Sequence, residues 1–157
     1  MDKQPSSRSC FVCGRQNDFS LKMNWYNDHE AQQIKGEVVV PDQYNGYPGF
    51  VHGGIVATIL DETSGRAVML DGDINSLFVT THLEVKYRRP TPTGQPLTAV
   101  GWVLRQDKNR ARVAGEIRLA DGTVTASCKA IVMRAPQKYL EAWNWQDEAP
   151  FWKVYED

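Results

Sequence analysis

The sequence predicts an α+β domain, with one long helix laid against an antiparallel sheet. Three observations carry this. Six segments alternate apolar and polar residues, or are rich in β-branched residues, as strands do. Only the stretch from about Gly53 to Leu70 combines helix-period apolar spacing with an absence of proline. Glycine, proline, asparagine and aspartate punctuate the intervals between segments. The order is β-β-α-β-β-β-β, and a sheet with one face to bury needs that helix to cover it.

Each element follows from its residues. Residues 1–9 are polar and read as loose, and a turn-like CFVCGRQNDF comes next. LKMNWY (21–26) and QIKGEVVV (33–40) read as strands. Residues 41–50, with Gly46, Pro48 and Gly49, form a loop that delivers the chain to His52. On the helix, Ile55, Val56, Ile59, Leu60, Ala67 and Val68 give broad apolar cover. Gly54, Thr58, Asp61 and Gly65 fall on a second stripe of mostly small residues, open to a partner helix or a thin ligand. LFVTTHLEVKYRR (77–89) places Leu77, Val79, Leu83, Val85 and Tyr87 on one face, and His82, Glu84, Lys86 and Arg88 on the other. Pro90 and Pro92 end it. Segments 97–105, 111–119 and 123–133 form a meander, turned by Asp107-Lys108-Asn109 and by Asp121-Gly122. The acidic tail carries Trp143, Trp145 and Trp152, an aromatic density that calls for packing on the domain or on a partner subunit. The expected division is an N-terminal segment with a C-x-x-C turn (1–20), the main domain (21–136) and the aromatic tail (137–157).

Composition narrows the function classes. A chain of 157 residues suits one domain with a sizeable core. A net charge of −1 with no basic block argues against a nucleic-acid partner. No apolar run has the length of a membrane span, and the polar start is unlike a signal peptide. An odd count of 3 cysteines argues against a secreted disulfide framework, so the cytoplasm is the expected location.

VHGGIVATILDETSG (51–65) carries the chemistry. A helix starting at Gly53 presents free N–H groups suited to a developing oxyanion, and Asp61 is a carboxylate able to attack or to activate water. Asp61 lies eight residues beyond Gly53, roughly 12 Å along a helix axis. A reacting carbonyl needs both groups within about 3 Å. One helix cannot supply that, so joint action requires a second copy of the chain in a twofold dimer.

These residues and this order of elements resemble the hotdog-fold thioesterases, in the PaaI-like branch of the 4-hydroxybenzoyl-CoA thioesterase superfamily. CFVCG at 10–14, GYPGFVHGGIVATILDE at 46–62 and HLEVKYRRP at 82–90 carry the resemblance, which spans most of residues 10–134. It implies a long helix wrapped by a curved antiparallel sheet, with homodimers that often pair into homotetramers. It implies hydrolysis of an acyl-CoA substrate at the dimer interface, without metal or organic cofactor. Asp61 matches the family's nucleophile or general base, and Gly53 its oxyanion amide. Thr80 is the nearest match to a polar residue early in the third strand. Some relatives carry an asparagine or glutamine seven residues before the oxyanion glycine; that position is Gly46 here, with Asn45 beside it.

Other residues have plainer readings. His52 reads first as a capping residue and second as a general base. Glu62 points about 100° away from Asp61 on a helix and reads as a salt-bridge or rim residue, and as the backup acid. Gly54, Asn45, Glu62, Thr80 and Arg88 are the substrate-binding candidates, with Arg88, Arg89, Arg66 and Lys86 available to coenzyme A phosphates. Cys10 and Cys13 have metal spacing, but no second pair or histidine completes a zinc site within the chain; a buried turn is the better reading and no metal is expected. Cys128 reads as core. Acyl-CoA thioester hydrolysis leads; a hotdog hydratase or dehydratase using His52 and Asp61, and a non-catalytic acyl-CoA-binding protein, are the alternatives.

Overall fold

The computed structural model describes residues 1–157. Seven strands form one antiparallel sheet: β1 (Asp2–Lys3), β2 (Asn24–Asp28), β3 (Gln33–Val39), β4 (Phe78–Tyr87), β5 (Pro96–Gln106), β6 (Arg110–Arg118) and β7 (Val124–Arg134). Their spatial order is β1-β2-β3-β5-β6-β7-β4. The helix α1 (Gly53–Gly65) lies against β4 to β7 and buries Val56, Ile59 and Leu60 there. This is the expected α+β hotdog architecture, with one short strand added at the sheet's edge.

Contact between helix and sheet is close enough to dictate residue type. A Cβ on Gly101 of β5 would stand 2.5 Å from the Thr63 carbonyl oxygen, so only glycine fits under this turn of α1. Next to it, Trp25 of β2 is fully buried and donates its indole N–H to Thr63 Oγ1 at 3.1 Å. The Arg66 guanidinium stacks on the same indole at 4.1 Å.

Four local expectations are corrected. The α-helix ends at Gly65, and Arg66–Met69 continue as a tighter 3-10 turn rather than as helix to Leu70. β2 begins at Asn24, not Leu21, because Lys22 takes a left-handed conformation (φ 52°) and Leu21 and Met23 donate instead to Phe11 and Val12 of the cysteine turn. Residues 1–9 are tied down, not loose. β1 pairs with β2, buried Gln4 bonds Asn27, and Arg8 pairs with Glu148. A bulge in β4 leaves Thr81 unpaired between Thr80↔Val132 and His82↔Ile131. It reverses the strand's alternation, so that Thr80, not Val79, shares the helix-side face with Leu83 and Val85.

The tail folds into α2 (Gln137–Ala142), α3 (Trp145–Glu148) and a 3-10 turn at Ala149–Phe151. Ser6 bridges Lys153, and Lys3 and Arg15 pair with Asp157, so the two termini brace each other. No helix is long and apolar enough to cross a membrane.

Candidate active site

Two groups of residues lie along α1, one at each end. The first surrounds its start. The loop 41–50 approaches it through a bridge between Asn45 and Val51. His52 is the N-cap, and its Nδ1 accepts the Gly54 N–H at 2.9 Å. An accepting Nδ1 is unprotonated, so the neutral ring carries its proton on Nε2 and has no free lone pair. This geometry makes His52 the helix cap. With Gly54 engaged, the Gly53 N–H has no acceptor within the chain. The carbonyl of its own peptide, His52 O, accepts from both Ile55 and Val56, at 2.9 and 3.0 Å, which polarises the Gly53 N–H further. From β4, Tyr87 covers Gly53 and donates its hydroxyl to the Gly53 carbonyl at 2.7 Å.

Asp61 forms the second group. Its carboxylate is half-buried and accepts from Thr80 Oγ1 at 2.7 Å. Burial raises its pKa from its ordinary value; the Thr80 hydrogen bond opposes this, and the nearby Glu62 charge adds to it. A cavity of about 380 Å³ opens beside it. Phe78, Met69, Trp143, Trp145 and Trp152 form much of its wall. The Trp152 indole N–H is fixed on the Ile74 carbonyl at 2.7 Å.

Asp61 and Gly53 are thus separated along one helix, and the chain alone does not bring them together. Glu62 forms a salt bridge with Arg66 at 2.9 Å, and both residues line the cavity beside Asp61 and Thr80. Arg66 is buried among Pro5, Glu62 and Cys13. Arg88 is exposed on the opposite face, near Lys86 and Lys129 in a recess of about 230 Å³. Sequence reasoning missed Tyr87 as an anchor for Gly53. It did name the tail tryptophans among the aromatics that would close the acyl channel, and all three line the cavity beside Asp61.

A family model for the thioesterase superfamily matches residues 48–126, which include Gly53, Asp61, Thr80 and Tyr87. The chain belongs to the thioesterase superfamily. Among solved structures of thioesterase-superfamily proteins, one is 32% identical with a TM-score of 0.71, covering 79% of this chain and 62% of that one. The phenylacetic acid degradation-related protein of Ralstonia eutropha JMP134 is 25% identical with a TM-score of 0.63, covering 72% and 85% of the two chains. The acyl-coenzyme A thioesterase THEM4 of Mus musculus is 43% identical over 47 residues, 30% of this chain and 19% of that protein. The chain therefore spans about a fifth of the length of this curated relative.

Proposed function

We propose that the chain hydrolyses acyl-CoA thioesters at a site built by two copies of itself. The observation that carries this is the placement of a half-buried Asp61 and an unengaged Gly53 amide at separate points of one helix, both beside β4. That strand is a ten-residue edge with no partner on its outer side. A twofold axis through it would run two copies of β4 antiparallel. Gly53 of one copy would then approach Asp61 of the other. The Gly53 N–H polarises the thioester carbonyl. Asp61 attacks the carbonyl carbon, or takes a proton from the water that does. The C–S bond breaks and coenzyme A leaves as its thiolate. On the direct route water then cleaves the mixed anhydride on Asp61, and a solvent proton completes the thiol. On the water route the proton held by Asp61 passes to the thiolate. The tryptophan-walled cavity beside Asp61 receives the acyl group, and Asn45 and Thr80 hold the reacting groups in place. Membership of the thioesterase superfamily supports this reading. The engaged lone pair of His52 speaks against a histidine–carboxylate hydratase.

Thiol release from short-, medium-, long-chain and aryl acyl-CoAs is the direct test. Hydrolysis of at least one series is expected. Tight acyl-CoA binding with no thiol released from any of them would replace the enzyme with a binding protein.

The assembly has its own test. Light scattering at assay concentration should give a dimer or a dimer of dimers, and a monomer with full activity would remove the composite site.

The pH–rate profile is a further expected result. Asp61 works as the carboxylate, and its burial raises the pH at which it ionises. Activity should therefore fall on the acid side at a pH above the value of about 3.9 typical of exposed aspartates. Thr80→Val removes the opposing hydrogen bond and should move that limb further up. A limb unmoved by Thr80→Val would separate it from Asp61.

A further inference from the structure

The cysteine turn holds a second cluster that the proposed hydrolysis does not use. Cys10 and Cys13 Sγ and a Glu62 carboxylate oxygen all lie within 4.8 Å of one another. Sequence spacing shows the two cysteines. It does not show the third donor, which arrives from α1, 49 residues after Cys13.

The turn aims a backbone donor at each sulfur. The Val12 N–H donates to Cys10 Sγ at 3.3 Å, and the Ser7 N–H to Cys13 Sγ at 3.4 Å. Backbone donors to both sulfurs are the outer-shell support that metal-bound thiolates use. Gly14 closes the turn by donating to the Cys10 carbonyl at 2.7 Å, and a Cβ there would stand 2.2 Å from that same oxygen. The C-x-x-C-G pattern is therefore a requirement of this turn's geometry.

Charge favours a cation as well. Two thiolates and one carboxylate carry three negative charges. A divalent cation and the buried Arg66 guanidinium, 3.2 Å from Cys13 Sγ and 2.9 Å from Glu62, balance them to zero. Arg66 approaches one oxygen of Glu62 and leaves the other for a metal. Tetrahedral zinc, with Zn–S bonds of about 2.3 Å, sets its sulfur donors about 3.8 Å apart, inside the 4.8 Å within which all three donor atoms lie.

We infer that Cys10, Cys13 and Glu62 form a site for a thiophilic divalent cation, with zinc the best fit, that clamps the N-terminal turn to α1. On binding, two S–H bonds break, their protons pass to solvent and two S–metal bonds form. The fourth position is left to water.

Cobalt(II) titration of the reduced full-length chain tests this. One equivalent should bind, with the near-ultraviolet absorption of thiolate-to-cobalt charge transfer and the visible bands of a tetrahedral ion. Zinc should displace it and raise the melting temperature. Cys13→Ser and Cys10→Ser should each lose the charge-transfer band, while Cys128→Ser keeps it. Because Cys13 is buried and its variant is at risk of misfolding, Glu62→Gln is the decisive arm: with native circular dichroism, it should weaken cobalt binding at least tenfold. No thiolate band in a folded, fully reduced chain would overturn the site and leave the cysteines as a dithiol pair. A band with unchanged affinity in Glu62→Gln would also overturn it, since the third donor would not be Glu62.

Discussion

Asp61→Asn should lower kcat for acyl-CoA hydrolysis by about 10²–10⁴-fold or more, the range associated with losing a positioned acid–base group. The substitution is nearly isosteric. Asn Oδ1 can still accept from Thr80, so the geometry of the site is retained, while the lone pair that attacks or takes a proton is lost. Stability moves the other way or not at all. Burial raises the Asp61 pKa, so the folded state holds its proton more firmly than the unfolded state does. Between the unfolded and folded pKa values the native chain binds more protons, and stability falls as pH rises through that window. Near neutral pH the wild type therefore bears a desolvated charge that the asparagine lacks, and the variant should unfold at the same or a higher urea concentration. Full turnover in Asp61→Asn would end its assignment as base or nucleophile. A KM that rises with kcat unchanged would make it a binding residue.

Trp25→Ala should cost about 3–5 kcal/mol in urea unfolding, the usual range for emptying a buried aromatic site. The indole is fully buried and has three neighbours that cannot easily refill the space. Thr63, itself buried, loses its hydrogen-bond donor. Arg66 loses the ring it stacks on. Gly36 stands so close that a Cβ there would be 2.7 Å from the indole, so β3 is already drawn in against the ring and has no side chain to extend. A domain of this size has about 5–15 kcal/mol in total, so the loss should be visible as a lowered melting temperature. Trp25→Phe keeps most of the ring and should lose less. A deficit in the alanine variant below about 1.5 kcal/mol would mean that the helix end collapses onto the sheet.

How much of this was legible depended on how local the cause was. Strand and helix positions rest on alternation and on helix-period spacing within one segment, and both could be read. The helix start was equally plain, because His52, Gly53 and Gly54 are neighbours in sequence. What escaped depends on distant partners. Nothing in residues 1–9 announces that Gln4 meets Asn27 or that Ser6 meets Lys153. Nothing in the tail says that Trp152 reaches the Ile74 carbonyl. The bulge was hidden for a different reason: Thr80 and Thr81 are identical, so alternation cannot tell which of them drops out of register. Thr80 was named from a resemblance, while the face assigned to its strand would have turned it away from Asp61.

That bulge makes the neighbour of Asp61 a matter of counting. Deleting one of the two threonines would remove the bulge and still leave a threonine opposite Val132, so the hydroxyl at Asp61 would survive the loss. The adjacent threonines therefore keep the site polar whether or not the bulge forms. When relatives are aligned, the residue that corresponds to Thr80 should be found by its partner on β7, Val132, and not by its distance from the helix.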